Sequence, residues 1–254
     1  MPVSISACII TLNEEYNLRK CLESLSFVDE IVIVDSGSTD KTLEIAADFQ
    51  ATVFQRKFDN YVNQKNYCIS KARNNWILAL DADEVISTAL SEEIHLLASK
   101  DISASGFLIP RLTYYLGKWI RFGGWYPNLQ IRFFHKEYGR FTGILVHERV
   151  HLQGHCARLK QPILHYSYRS ISDHLKFIDR YSSLAASEKH AAGKKGFVSL
   201  AVLEAIWKFF SMYFFRLGFL DGRAGLVVAI LGAYYNFLKY IKLYELTHQE
   251  KHKP

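Results

Sequence analysis

Two aspartates one residue apart, Asp81 and Asp83, follow the apolar run at residues 76–80. Hard cations such as Mg²⁺ and Mn²⁺ take oxygen ligands and share their coordination shells with substrate phosphates. Paired carboxylates at the point where a buried strand meets solvent therefore indicate a site for a divalent cation and a phosphate group. Most isolated Asp-x-Asp sequences are solvated turns, so the elements around this pair have to decide between the two interpretations.

The segments before this pair alternate between strand-like and helix-like patterns. β-branched and apolar residues predict strands at residues 3–12, 31–34, 52–54 and 76–80, with helices between them. Asn13 is expected to cap the first helix. Because these strands are apolar throughout, the expected fold class is α/β, with a parallel sheet covered on both faces.

Polar clusters follow three of these strands, at residues 11–15, 35–38 and 81–84. Right-handed crossovers place the carboxyl ends of parallel strands on one edge of the sheet, and open α/β sheets bind their ligands at that edge. Three acidic or hydroxyl-bearing clusters on one edge favour a binding site over unrelated turns. A dinucleotide-binding protein would want Gly-x-Gly after the first strand, and Thr11-Leu12-Asn13-Glu14 argues against that class.

The second half of the chain follows a different pattern. Strands with polar interruptions are expected at residues 107–110, 130–134, 144–151 and 163–166, around a loop at 117–128 that is rich in Gly and Trp. Apolar residues at helical spacing predict an amphipathic helix over residues 172–192.

Charge is divided unevenly along the chain. Residues 1–155 contain 16 Lys+Arg and 18 Asp+Glu, a net of −2, whereas residues 156–254 contain 15 and 7, a net of +8. The basic part includes two apolar, aromatic stretches at 197–220 and 224–241. A membrane-spanning helix needs about 20 residues, and flanking Lys and Arg better suit helices that lie in the membrane interface. The alternative is a helical pair that closes the core or a dimer interface.

The four cysteines, Cys8, Cys21, Cys68 and Cys156, have no paired metal-ligand spacing. Buried, reduced thiols in a cytosolic protein are therefore expected. The first residues have no signal-peptide pattern and lead directly into the first strand.

The chain resembles the family-2 glycosyltransferases of the GT-A fold from about residue 3 to residue 245. The resemblance rests on IITLNEE, IVIVDSGSTDKT, QKN, LALDADE, GGWYPNLQIRFF, VHERV and PILHYSYRS. Within the family, it is strongest to the lipopolysaccharide-core β-1,4-glucosyltransferases. The resemblance implies a Rossmann-like mixed sheet with a C-terminal amphipathic helical extension. It implies a catalytic domain at 1–170, with a nucleotide half to about residue 100 and an acceptor half after it, and a helical region at 171–254.

The resemblance also implies donor-binding roles for residues at the sheet edge. Thr11 and Glu14 would border the nucleotide pocket. Asp35 would contact the uracil or ribose, and Asp81 would reach the ribose. The remaining donor contacts would come from Lys65 at the pyrophosphate and from the Gly123-Gly124 loop, with Gly124 beside the sugar.

On the metal and acceptor side, the resemblance implies that Asp83 and His165 bind Mn²⁺ or Mg²⁺. Glu148 would act as the general base, and Trp125 and Arg132 would contact the acceptor. The residue types alone leave other roles open. These roles are a strand-edge ion pair of Glu148, a hydrogen-bonded core position for His165, a solvated helix face for Lys65, core packing for Trp125 and surface pairing for Arg132.

The expected activity is metal-dependent, inverting transfer of a hexose, from UDP-glucose, to a heptose of the lipopolysaccharide or lipooligosaccharide inner core. The alternatives are a polyprenyl-phosphate or capsular acceptor, or a sugar-nucleotide-binding scaffold without activity. The expected partners are a UDP-sugar donor, a lipid-anchored oligosaccharide acceptor and the membrane surface, with no nucleic acid. The expected location is cytoplasmic, peripheral on the inner face of the inner membrane.

Overall fold

A computed structural model describes residues 3–143 and 148–249 of the chain. The chain forms two compact units, one from Met1–Leu112 with Asn128–Tyr166 and one from Thr113–Pro127 with Ser167–Pro254. The expected boundary near residue 170 would assign residues 113–127 to the same domain as the sheet. In the structure, these residues belong to the unit that contains the C-terminal helices.

The strands and helices are numbered in chain order. The strands are β1 Ile5–Thr11, β2 Glu30–Asp35, β3 Thr52–Gln55, β4 Trp76–Asp81, β5 Glu84–Ile86, β6 Gly106–Tyr115, β7 Lys118–Ile120, β8 Asn128–His135, β9 Gly139–Thr142, β10 Arg149–Leu152, β11 Cys156–Arg158 and β12 Ile163–His165. The helices are α1 Leu18–Glu23, α2 Thr42–Asp48, α3 Tyr61–Lys71, α4 Thr88–Ala98, α5 Ile171–Ala191, α6 Val198–Phe210 and α7 Gly222–Gln249.

The first unit contains a mixed sheet with the strand order β3-β2-β1-β4-β8-β6-β12-β5. The first four strands in this order are parallel, as the apolar runs predict, and β8 then pairs antiparallel with both β4 and β6. Thr11 pairs with Asp35, and Ile10 pairs with Asp81. The carboxyl ends of β1, β2 and β4 therefore lie side by side at one edge of the sheet.

Both faces of the parallel strands are buried, which explains their continuous apolar sequences. On one face, Ile9, Ile33 and Leu78 pack with residues of α1, α2 and α4. On the other face, Val32 and Ile77 pack with residues of α3. The central strands are thereby fixed in register, because a slip of one residue would exchange the two buried faces.

Two local expectations need correction or restriction. Asn13 does not cap α1, which begins at Leu18 with Asn17 as its cap residue. Asn13 instead has a φ of 55° and accepts a hydrogen bond from the Thr39 backbone N–H. Residues 144–147 of the strand expected at 144–151 lie outside the described residues, and β10 occupies its end.

The second unit consists mainly of α5, α6 and α7. A π-helical turn at Ser211–Phe215 extends α6, and a short 3₁₀ turn at Gly218–Asp221 precedes α7. β7 lies inside the segment that was expected to be a loop at 117–128. It pairs with Thr113–Tyr115 at the end of β6. The buried centre of this unit comprises Tyr115, Ile120, Met212, Ala224, Val228 and Ala229.

Candidate active site

Thr11 and Asp35 lie at the adjoining ends of β1 and β2. Asp35 is fully buried, and its carboxylate accepts hydrogen bonds from the Thr11 hydroxyl at 3.0 Å and from the Gly37 and Ser38 backbone N–H groups at 2.9 Å. In this structure, Asp35 therefore orders the turn after β2. Its predicted contact with a nucleoside stays a prediction.

Glu14 lies close to this turn in the loop that follows β1. Its backbone N–H donates to the Thr42 hydroxyl at 2.8 Å, and its carboxylate accepts from the Asn17 amide at 2.9 Å. Because Thr42 begins α2, these contacts attach the loop after β1 to the helix that follows β2.

Lys65 connects two of the predicted site residues. Its ammonium Nζ lies 2.8 Å from Asp81 Oδ1 and 3.4 Å from Glu148 Oε1. The Lys65 side chain is only 8% exposed, so it does not lie on a solvated helix face. Asp81, at the end of β4, and Glu148, just before β10, therefore both contact the Lys65 ammonium group.

Arg132, from β8, binds the other oxygen of Asp81. Its Nη2 lies 2.7 Å from Asp81 Oδ2 and 2.8 Å from Glu84 Oε1, and the side chain is buried. Arg132 therefore does not form a surface ion pair. Its predicted contact with the acceptor stays a prediction.

These cations control the ionisation of Asp81. Burial acts to raise the pKa of this carboxyl, but the charges of Lys65 and Arg132 outweigh burial and hold the pKa well below its usual range. Burial likewise acts to lower the pKa of Arg132, and Glu84 and Asp81 outweigh that effect and raise it. Asp81 and Arg132 are therefore both charged at neutral pH.

Glu84 is a site residue to which the sequence analysis gave no role. It is completely buried, and its carboxylate accepts from the Asp81 backbone N–H at 3.0 Å, from Arg132 Nη2 and from Arg111 Nη1 at 3.2 Å. The signal was present in the sequence, because Glu84 extends the acidic run that begins at Asp81. Its partners on β6 and β8 were not predictable from that run.

Asp83 and His165 form a second pair at this edge. His165 Nε2 lies 3.2 Å from Asp83 Oδ2, and the Tyr166 backbone N–H donates to the Asp83 carbonyl at 2.9 Å. β12 pairs with β5 so that His165 stands opposite Glu84. The antiparallel pairing of these short strands therefore brings together two residues that are 82 positions apart in the sequence.

The Asp83–His165 pair fits a cation that shares its ligands with a nucleotide. Over residues 3–143 and 148–249, no cluster of three or more His, Cys, Asp or Glu could hold a metal by itself. Mg²⁺ typically uses one or two carboxylates and completes its shell with water and substrate phosphates. The Asp83 carboxylate is consistent with that habit.

Gly124 and Trp125 belong to the second unit. Gly123 and Gly124 have φ values of 66° and 80°, which favour glycine. Trp125 lies 5.6 Å from the Tyr115 ring and 6.0 Å from the His174 ring, measured between centroids. Within this unit, Trp125 packs among aromatic side chains, and its contact with an acceptor stays a prediction.

Comparisons with known proteins give a consistent result. Residues 6–150 match the family profile described as Glycosyl transferase family 2. An uncharacterized glycosyltransferase of Rickettsia typhi is 32% identical over 96% of this chain and 87% of its own. The lipopolysaccharide core biosynthesis glycosyltransferase LpsC of Rhizobium meliloti is 31% identical over 98% of this chain and 95% of its own.

Among solved structures, glucosyl-3-phosphoglycerate synthase from Mycobacterium tuberculosis, in complex with Mn²⁺ and UDP-glucose, is 21% identical. The match covers 44% of each chain with a TM-score of 0.36. A likeness of this size leaves the family assignment to rest on the sequence matches.

Proposed function

We propose a specific reaction for this chain, which belongs to glycosyl transferase family 2: the inverting transfer of a hexose from UDP-glucose to a heptose of the lipopolysaccharide inner core. Similarity to LpsC over nearly the whole chain supports a lipopolysaccharide acceptor. The observation that carries the proposal is the ion-paired group of Asp81, Lys65 and Glu148, together with Asp83, two residues after Asp81, which pairs with His165.

Asp83 and His165 would hold Mn²⁺ or Mg²⁺. Such a cation supplies Lewis-acid stabilisation of the charge that develops on the departing diphosphate. The resemblance to GT-A enzymes supports this role, and the Asp83 carboxylate suits either metal. Asp81 is held by Lys65 and Arg132, so Asp83 is the carboxylate of the motif that remains for this task.

Glu148 is proposed as the general base. The acceptor hydroxyl must lose its proton as it attacks the sugar, and one positioned carboxylate suffices for that transfer. The Glu148 side chain is 20% exposed, so an acceptor can reach it, and Lys65 orients it. A single displacement at the anomeric carbon inverts its configuration and turns an α-linked donor into a β-linked product.

Glu84 and Arg111 are proposed to position the acids, together with Arg132, whose contact with the acceptor remains part of the proposal. Their charges alternate, and each guanidinium contacts a carboxylate within 3.2 Å. The Asp81 backbone N–H is also fixed by Glu84. This buried network keeps the end of β4 rigid, which preserves the spacing between the reacting groups.

The second unit supports attachment to a membrane surface. It exposes an apolar face on α6 and the turn after it, formed by Val198, Val202, Leu203, Ile206, Trp207, Phe210, Phe214 and Phe215. Val198–Phe215 and Gly218–His248 are long and apolar enough to cross a membrane by length and composition. However, Ala201 and Met212 on the opposite side of the α6 segment are buried. A one-sided apolar face is typical of a helix lying in the interface, and we place the protein at the cytoplasmic face of the inner membrane.

The test uses purified protein, UDP-glucose, Mn²⁺ and a heptose-terminated core oligosaccharide, with the product analysed by mass and by anomeric proton coupling. The wild-type protein should add one hexose through a β-linkage. Glu148→Gln should keep UDP binding and lose turnover by about a hundredfold, the scale of general-base loss. Glu137→Gln, an exposed acid in the same unit, is the matched control. Normal turnover in Glu148→Gln would remove Glu148 from the base role, and transfer only to a polyprenyl phosphate would replace the acceptor.

A further inference from the structure

The second unit contains a pocket of about 260 Å³, and the proposed transfer gives no role to the basic side chains that line it. Loop 123–125, α5, α6 and α7 line it. The residues that give the pocket its chemistry are Gly124, Trp125, His174, Lys208, Arg216 and Tyr235. We call it the basic pocket, because two cationic side chains, Lys208 and Arg216, line it.

Lys208 and Arg216 have no acidic partners. In the part of the chain that the structure describes, neither side chain makes an ion pair. Burial lowers the pKa of Lys208, and the positive charge of Arg216 lowers it further. Lys208 is half-buried and Arg216 is exposed, and a bound anion would offset the repulsion between their two positive charges.

Two neighbouring groups, His174 and Asp221, do not supply that negative charge. Burial lowers the pKa of His174 to about 4, so its imidazole is neutral at neutral pH, and its Nδ1 lies 2.9 Å from the Tyr115 hydroxyl. Asp221 accepts the backbone N–H groups of Arg121 and Phe122 at 3.0 Å and 2.8 Å. Its carboxylate is therefore used to fasten the loop.

The loop is shaped around Arg216. The Gly123 backbone N–H donates to the Arg216 carbonyl at 2.9 Å. A Cβ atom at Gly124 would lie 2.3 Å from Arg216 Nη1, so any side chain there would displace the guanidinium. The backbone thereby holds Arg216 in a defined place at the pocket.

Apolar side chains also line the basic pocket. Phe177, Ile178, Met212 and Leu231 belong to its wall. A ligand that combines a phosphate group with an apolar chain would match both features. Arginine binds phosphate through paired N–H groups and lysine binds it as a point charge, so the two cations suit a doubly charged phosphate ester.

We propose that the basic pocket binds the phosphate group of an amphiphile, with Lys208 and Arg216 on the phosphate and the apolar wall of the pocket against the apolar chain. The phosphate could belong to a membrane phospholipid or to a lipid-linked substrate, which share this chemistry. The proposal requires only the second unit and does not depend on the transfer reaction.

The test measures binding to the full chain with UDP and Mn²⁺ present in excess, so that a nucleotide site cannot account for the signal. The soluble probe is glycerol 3-phosphate, followed by calorimetry. The membrane probe is a set of phosphatidylcholine vesicles with and without phosphatidic acid. Saturable binding of glycerol 3-phosphate would show that the phosphate alone suffices, and binding only to the phosphatidic acid vesicles would show that the apolar chain is needed too. Either result supports phosphate binding at the basic pocket, provided that substitution of Lys208 and Arg216 weakens it.

The Lys208→Gln/Arg216→Gln double variant should weaken binding by about tenfold or more, the loss of at least one charge-assisted hydrogen bond. The matched control is Lys176→Gln/Lys195→Gln, which removes the same charge from exposed positions of the same unit and should change binding less than about twofold. Glu148→Gln should bind as tightly as the wild-type protein, which separates this site from the transfer reaction. Equal losses in the two double variants, or no saturable binding of either probe, would overturn the proposal. Arg216→Lys, which keeps the charge, guards against a folding defect and should bind better than the double variant.

Discussion

Replacing Glu84 by glutamine tests whether the buried ion network holds the active-site edge in place. The glutamine side chain has the same shape, but it carries no charge and must turn its NH₂ group toward either the two guanidinium groups or the Asp81 backbone N–H. Glu84 is completely buried and receives hydrogen bonds from Asp81, Arg132 and Arg111, so water cannot replace the lost charge. Arg132 keeps Asp81 as a partner at 2.7 Å, whereas Arg111 loses its carboxylate.

The expected cost follows from this burial. Removing one partner of a buried ion pair costs about 3–5 kcal/mol. Because Arg132 retains Asp81, we expect the lower end, about 3 kcal/mol in the free energy of unfolding. The control is Asp48→Asn, since Asp48 pairs with Arg19 at 2.6 Å and their side chains are 58% and 48% exposed. An exposed pair contributes at most about 1 kcal/mol, so this variant should lose far less.

Urea denaturation of both variants, followed by circular dichroism and by tryptophan fluorescence, measures the difference. Glu84→Gln should lower the unfolding midpoint more than Asp48→Asn does, by the equivalent of about 2 kcal/mol. Its UDP affinity should also fall, since Asp81 loses a fixed backbone contact. If the two variants lose equal stability, the charge of Glu84 is not needed and the network argument is wrong.

Three other perturbations test separate parts of the structure. The pKa of His174 falls from about 6.5 in the unfolded chain to about 4 in the fold, so its contribution, about 3 kcal/mol, is present above pH 6.5 and lost as the pH falls toward 4; His174→Gln should flatten the pH dependence of the urea midpoint, and an unchanged profile would contradict this. Trp207→Glu should release the protein from membranes in low salt, whereas Leu96→Glu, an equally exposed position in the first unit, should not; retention of both refutes the apolar face as the attachment surface. Lys65→Met should lower kcat by about tenfold or more, because Asp81 loses a charge-assisted contact; a wild-type kcat would show that Lys65 does not position the acids.

The sequence predicted the parallel half of the sheet because its signals are local. Strands buried on both faces show unbroken apolar runs, and the polar residues at their ends mark the site edge. Asp81 and Asp83 were identified in this way. Glu148 and His165 required the resemblance to a family, because nothing in their own segments distinguishes a base or a metal ligand from a structural residue.

The remaining features depend on contacts between distant parts of the chain. Lys65 and Glu148 are 83 residues apart, and Arg132 lies 48 residues after Glu84. No periodicity predicts such pairs, which arise when β8 and β10 take their places. Asn13 failed as a cap because its side chain binds the turn after β2, a partner 26 positions away. The local propensity of asparagine favours a helix cap at position 13, but the contact of its side chain with Thr39 outweighs that propensity.

The chain path has a practical consequence for truncation. Residues 113–127 leave the sheet-forming part of the sequence and join the unit that contains α5–α7. Tyr115 and Ile120 are 1% and 0% exposed there, packed in the same cluster as Met212 and Val228. In a shortened protein that ends at residue 170, Tyr115 and Ile120 would lose Met212 and Val228 as neighbours and would become exposed to water. Helices α5–α7 therefore cannot be removed without exposing apolar side chains of residues 113–127. Loss of solubility in such a fragment would result from this exposure and would not by itself indicate loss of membrane contact.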